Sequence, residues 1–218
     1  LEILERYAAS DPRIIVVSQE NGGATLARRA AYLLAESPYI INLDADDEFS
    51  PNLLEFCVEK AKATDADIIV PNCTCETSLN VSFDWNKAYG YSPNTIMTGL
   101  EAFSKSFIPS AMHGYHMWKT WLVKKYYFVD DTILMQSFSQ EEYFWRVLYL
   151  NCSSVVFCDG HYVYHNNQES ITRKFNIKHL GYLNTCKQLL ALHADYHIPD
   201  EVQHIVEEYY MRTVISLQ

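Results

Sequence analysis

The amino-acid sequence predicts an α/β fold built on a doubly wound, mainly parallel sheet. Three observations carry this. Helix-like and strand-like segments alternate over residues 1–71. The apolar runs at 14–17, 39–43 and 67–71 are too short for helices, and the first is β-branched throughout. The middle run stops abruptly at four carboxylates, Asp44, Asp46, Asp47 and Glu48, and in open α/β sheets ligands bind just outside the carboxyl ends of strands.

Each element has its own signal. Residues 1–9 set Leu1, Leu4 and Ala8, with Ile3 and Tyr7, at helical spacing, and Ser10-Asp11-Pro12 stops that helix. Residues 13–18 carry Ile14, Ile15, Val16 and Val17, which predicts a buried strand, and a loop with Gly22 and Gly23 follows. Alanine and leucine over 24–36 predict a helix, ended by Ser37-Pro38. Residues 39–43 predict a buried strand. Ser50-Pro51 predicts a serine-capped helix over 51–63, and 67–71 a further strand, completing α-β-α-β-α-β. The chain then turns polar and aromatic over 72–94, with a candidate strand at 81–85. Helices are predicted at 98–107 and 117–124. Ser139-Gln140-Glu141-Glu142 is an S-x-x-E capping box opening a helix over 143–150. Strands at 155–158 and 161–165, a turn at 166–170 and helices at 177–194 and 200–217 complete the reading.

Composition excludes several classes. The 218 residues carry a net charge of −10, a poor bulk partner for nucleic acid. No apolar run reaches the ~20 residues that span a bilayer, and the start shows no signal-peptide pattern. The six cysteines form no CxxC pair, and most read as small buried hydrophobes in a reducing cytosol. The 16 tyrosines offer flat faces with polar tips, useful against sugars or bases, although most such residues are half-buried shell. His113 and His116 with Trp118 are either groups lining a ligand site or a packed aromatic loop.

The acidic stretch is the candidate chemistry. Unit charges about 4 Å apart repel by ~4 kcal/mol at an effective dielectric of about 20, so solvent or a cation must offset the repulsion. Hard oxygen ligands suit Mg²⁺, Mn²⁺ or Ca²⁺. From spacing alone a cation site and a solvated acidic turn stand level. A calcium loop of EF-hand type is excluded, because the required sixth-position glycine is absent.

Asn21-Gly22-Gly23, Ala27-Arg28, Tyr39-Ile40, Leu43-Asp44-Ala45-Asp46-Asp47 and Pro51, followed by Glu141-Glu142-Tyr143-Phe144, Tyr162-Val163-Tyr164-His165-Asn166 and Ser170-Ile171-Thr172, resemble the ordered motifs of family 2 glycosyltransferases. The resemblance implies a GT-A fold. Residues 1–172 would form the catalytic domain, with 1–71 the nucleotide-sugar half and 72–172 the acceptor half, and 173–218 a helical extension. It implies a nucleoside-diphosphate sugar donor, a saccharide or lipid-linked acceptor, a divalent cofactor (Mn²⁺ or Mg²⁺) and inversion at the anomeric carbon. The setting would be the cytoplasm, with peripheral association at the inner membrane, in bacterial surface-polysaccharide synthesis. Asp46, with Asp44, would hold the metal. Asn21, Gly22, Arg28, Asp44 and His165 would meet the donor, and Asp47 would lie near the donor sugar or acceptor. Glu141 would be the general base. Glu142 is the capping residue or the alternative base: as the third helical residue, its side chain would fold back to the Ser139 N–H. The family's first strand and its D-D-G-S loop have no counterpart here, which predicts a piece of a longer protein.

Two rival functions stay open on sequence. A D-x-D phosphatase would use Asp44 as nucleophile, but that class wants Thr or Val where this chain has Glu48. A non-catalytic module would bind a nucleotide sugar or glycan without turnover.

Overall fold

A computed structural model describes residues 2–76, 82–127, 139–167 and 177–216. The elements are α1 (Glu2–Ser10), α2 (Ala24–Leu34), β1 (Tyr39–Ile41), β2 (Glu48–Phe49), α3 (Leu53–Thr64), β3 (Ile68–Glu76), β4 (Ser82–Asp84), α4 (Trp85–Ala88), β5 (Ile96–Met97), α5 (Gly99–Lys105), β6 (Met117–Lys119), α6 (Thr120–Tyr126), α7 (Glu141–Leu150), β7 (Val155–Tyr164), a 3-10 turn (Ile177–Gly181), α8 (Tyr182–Tyr196) and α9 (Asp200–Ser216). The Ser170-Ile171-Thr172 segment lies outside the described residues.

The seven strands form one sheet in the order β1-β6-β3-β7-β2, with β4 added to β3 and β5 to β7. β3 and β7, neighbours in the sheet though far apart in the chain, are its long centre, paired in parallel, while the other described pairings are antiparallel. The sheet is therefore mixed rather than mainly parallel. Alternation along the two central strands divides the core. Ile68 and Val70 with Val155 and Phe157 face α5, α7, α8 and α9, while Ile69 and Cys73 with Val156, Cys158 and Tyr162 face α3. Leu189, Leu192, Val202 and Val206 join the first cluster, so the C-terminal helices share the core of the sheet.

Several expectations need correction. Residues 13–18 form no strand: Ile14, Ile15 and Val17 stand 39%, 69% and 47% exposed. A β-branched run needs a neighbour for its backbone hydrogen bonds, and among the described residues none is beside it. The strand predicted at 39–43 ends at Ile41 and is half-buried, since its single described neighbour is β6. Ser50 does not cap α3. Asn52 holds that position, and the Ser50 hydroxyl accepts from the His161 N–H at 3.2 Å instead. The helix predicted at 117–124 opens as β6, and the strands predicted at 155–158 and 161–165 are one continuous β7. Gly160 permits that continuity beneath α3, where an added Cβ would lie 3.0 Å from the Leu53 backbone. β3 runs on past Pro71 because a register shift between Val70 and Asn72 absorbs the residue that cannot donate.

Candidate active site

β1 delivers Asn42 and Asp44 to the rim of the sheet, and α2 passes above them. Arg28, one turn into α2, reaches down so that Nη2 lies 2.8 Å from Asp44 Oδ1. Burial works against the Arg28 charge, yet the bond to Asp44 overcomes it and holds the guanidinium above its ordinary pKa. Asn42 donates to the Tyr32 hydroxyl at 2.6 Å. These groups open onto a cavity of about 210 Å³, closed on the far side by Glu141, Glu142, Trp145, Trp118 and Tyr127. Acids 97 positions apart in the chain, Asp44 and Glu141, thus line one chamber. Desolvation raises the Glu141 carboxyl above its usual range, with Arg28 opposing.

The remaining acids have separate partners. Tyr162 donates its hydroxyl to Asp47 Oδ2 at 2.6 Å, and the His165 N–H donates to Asp47 Oδ1 at 3.1 Å. The Asp47 N–H closes the turn on the Asp44 carbonyl at 3.1 Å. With both oxygens engaged by Tyr162 of β7 and by His165 just past its end, Asp47 is a turn-fixing residue in this structure rather than a group presented to the cavity. Asp46 is exposed and accepts from Asn167 Nδ2 at 2.8 Å. His165 lies outside the cavity, with Nδ1 3.0 Å from Glu76 and Nε2 3.4 Å from Glu48. Asn21 and Gly22 are exposed in the loop before α2 and do not line the cavity; Asn21 Oδ1 accepts from the Gly23 N–H at 3.2 Å.

Glu142 departs from its expected cap. Ser139 has φ 55° and Gln140 precedes α7 without a side-chain cap, so no box forms. Glu142 Oε2 instead accepts from Arg146 Nη1 at 2.7 Å and from the Tyr182 hydroxyl at 2.6 Å. A buried guanidinium one turn below outcompetes a helix-end N–H. His113 also serves structure. Its Nδ1 accepts from the Tyr115 N–H at 3.1 Å, so its Nε2 carries the proton toward the Pro71 carbonyl at 3.1 Å, and burial lowers its pKa to about 4.

Among the described residues no group of three or more His, Cys, Asp or Glu is gathered as a protein-built metal cage. The donor chemistry at Asp44 and Asp46 still fits a hard divalent ion. Among the described residues, each carboxylate engages one oxygen with a side-chain donor and the other takes none. Mg²⁺-type sites take one or two carboxylates, with waters and substrate phosphates supplying the rest.

Sequence reasoning missed Tyr32, Asn42, Tyr127, Trp145 and Arg146. Asn42 was within reach, two residues before Asp44 just past the end of β1; the others are brought in by helix packing that no local pattern announces.

The model of the family described as Glycosyl transferase family 2 matches residues 1–123. The cholesterol galactosyltransferase of Borreliella burgdorferi is 28% identical over 224 residues, covering 97% of this chain and 61% of that protein. The chondroitin synthase of Pasteurella multocida is 31% identical over 117 residues, covering 53% of this chain and 11% of that protein. The chain therefore spans under two thirds of either relative. Among solved structures, S. aureus TarS 1-349 in complex with UDP-GlcNAc superposes with a TM-score of 0.74 at 15% identity, over 95% of this chain and 58% of that one. That likeness establishes the GT-A architecture.

Proposed function

Because the chain belongs to glycosyl transferase family 2, we propose that it serves a metal-dependent, inverting transfer of a sugar from a nucleoside-diphosphate sugar to a saccharide or lipid-linked acceptor. The setting is surface-polysaccharide synthesis on the cytoplasmic side of a bacterial membrane, with peripheral attachment. No described helix is long and apolar enough to cross that membrane. The observation that carries the reading is the shared cavity: a cation on Asp44 faces a desolvated carboxyl on Glu141.

At about 210 Å³ the cavity is smaller than the about 300–1,000 Å³ of pockets that enclose a whole ligand. It takes the reacting end of the complex, while the nucleotide lies along the outer turn between Asp44 and Asn21. Arg28 orients the diphosphate and Asp44 the ribose side or the metal, with Asp46 completing the metal-binding pair. When bound, the divalent ion neutralises charge on the departing diphosphate. Trp145 and Tyr127 give the sugar apolar faces and exclude water. Glu141 takes the proton from the acceptor hydroxyl as the new bond forms at the anomeric carbon. Its raised pKa makes it the stronger base of a cavity that also holds Arg28. Asp47 and His165 act by holding the turn and strand end.

The test is turnover of a panel of nucleotide sugars, UDP-galactose and UDP-N-acetylglucosamine among them, with Mn²⁺ and a lipid or saccharide acceptor. Donor consumption that is lost on adding a chelator supports the reading. No transfer or donor hydrolysis with any sugar, together with unchanged Mn²⁺ binding in Asp46→Ala, overturns it.

A further inference from the structure

Arg146 is 1% exposed, a cation inside the apolar core. An uncompensated buried charge is costly, so its partners show what it is for. Nε and Nη2 donate to the Ser106 hydroxyl and carbonyl at 3.0 and 2.8 Å, and Nη1 donates to Glu142 Oε2 at 2.7 Å. The guanidinium carbon sits 4.2 Å from the Trp145 ring centroid, on the cavity wall. The same Glu142 oxygen accepts from the Tyr182 hydroxyl at 2.6 Å and the Tyr209 hydroxyl at 3.3 Å, and the two hydroxyls also touch. Tyr182 opens α8 and Tyr209 lies in α9, so one carboxylate oxygen joins three helices. Its neighbour in sequence is Glu141. Apart from Ser106, these residues lie beyond the 1–123 matched by the family model.

We propose that the C-terminal helices belong to the active site through this network: Tyr182 and Tyr209, acting on the Glu142–Arg146 pair, are positioning residues that fix the first turn of α7 and so aim Glu141 into the cavity. The inference rests on the role given to Glu141 in the proposed transfer. Glu142 also borders the cavity, but its Oε2 is held by Arg146 and Tyr182 at 2.7 and 2.6 Å, which leaves Glu141 as the carboxylate to act as base. The C-terminal helices would then couple anything that engages them to the base.

The experiment compares the full chain with Tyr182→Phe/Tyr209→Phe, which removes two hydroxyls and keeps both rings. Amide hydrogen exchange over residues 141–144 is expected to speed up at least tenfold, with β3 and β7 unchanged. In sugar transfer from UDP-galactose or UDP-N-acetylglucosamine, kcat should fall at least tenfold with donor KM within twofold, and the acidic limb of the kcat–pH profile should move. Arg146→Lys, which keeps the charge but loses the fork, should fall between wild type and the double variant. Unchanged exchange over 141–144, or wild-type kcat and pH profile, overturns the inference. A wild-type chain without transfer sinks the proposed function, while the exchange comparison still decides whether the tyrosines hold the helix end.

Discussion

The Tyr162 hydroxyl donates to Asp47 Oδ2 over 2.6 Å and also accepts the Asp44 N–H at 3.3 Å, so one buried ring at the end of β7 holds both ends of the acidic turn. Tyr162 stacks on Tyr115 with centroids 4.2 Å apart, which leaves its position set by packing even without the hydroxyl. Tyr162→Phe should therefore fold with the same spectrum and lose ~1–3 kcal/mol of stability, the cost of removing a donor from a charged acceptor. Transfer should fall by about ten- to a hundredfold, because the turn that carries Asp44 and Asp46 is released. Thermal denaturation alongside turnover measures both; full activity in the variant would remove Tyr162 from the account.

Glu141→Gln separates chemistry from stability. Loss of the base should lower kcat by about 10²–10⁴ with donor binding intact. Since the folded carboxyl holds its proton to higher pH than the unfolded one, wild-type stability falls as pH rises through the unfolded value of ~4.3 and beyond. The variant lacks that loss, so it should be at least as stable as wild type at pH 7, the difference closing at acidic pH. In wild type the acidic limb of the rate profile should lie above the ordinary glutamate range. Denaturation at several pH values checks the sign.

The chemistry-bearing stretch was legible because it is local: an apolar strand, crowded acids and a helix-ending Ser-Pro fall within 15 consecutive residues, 37–51. The cavity was not. Its walls come from α2, α6 and α7, and no periodicity states that Trp145 will turn toward Arg28. The capping box failed for a long-range reason too, since Arg146 is buried by Phe107 and Tyr209 before it meets Glu142. The sheet's mixed character was equally hidden: a three-residue β1 beside an antiparallel β6 has the same composition as a parallel strand.

His165 gives a pH signature at the rim. Its bond to Glu76, with Glu48 beyond, raises its pKa above the ordinary histidine value. A raised histidine contributes stability that is complete below the unfolded value of ~6.5 and is lost as pH climbs through the folded one. His165→Gln should thus lower Tm most in mildly acidic buffer and match wild type once the pH exceeds that raised value. A difference constant with pH, read by scanning calorimetry, would show that the ion pair contributes nothing.

Gly99 begins α5 with room for no side chain: an added Cβ would lie 2.0 Å from the Tyr149 carbonyl oxygen and 2.7 Å from that of Cys152. Both contacts are backbone and cannot rotate away. Gly99→Ala should cost about 3 kcal/mol or more by parting α5 from α7, measured by urea denaturation. It should also weaken turnover, since α7 bears Glu141.

The most direct test uses the four tryptophans. Trp118 and Trp145 line the cavity, while Trp121 is 49% exposed and Trp85 packs between Phe83 and His113. Titration of the full chain with a UDP-sugar and Mg²⁺, followed by the indole N–H resonances in ¹⁵N-labelled protein, should shift Trp145 and Trp118 and leave Trp85 and Trp121 in place, with the shifts abolished in Arg28→Ala. Shifts confined to Trp121 or Trp85, or undiminished in Arg28→Ala, would contradict a sugar-transfer site between Arg28, Asp44 and Glu141.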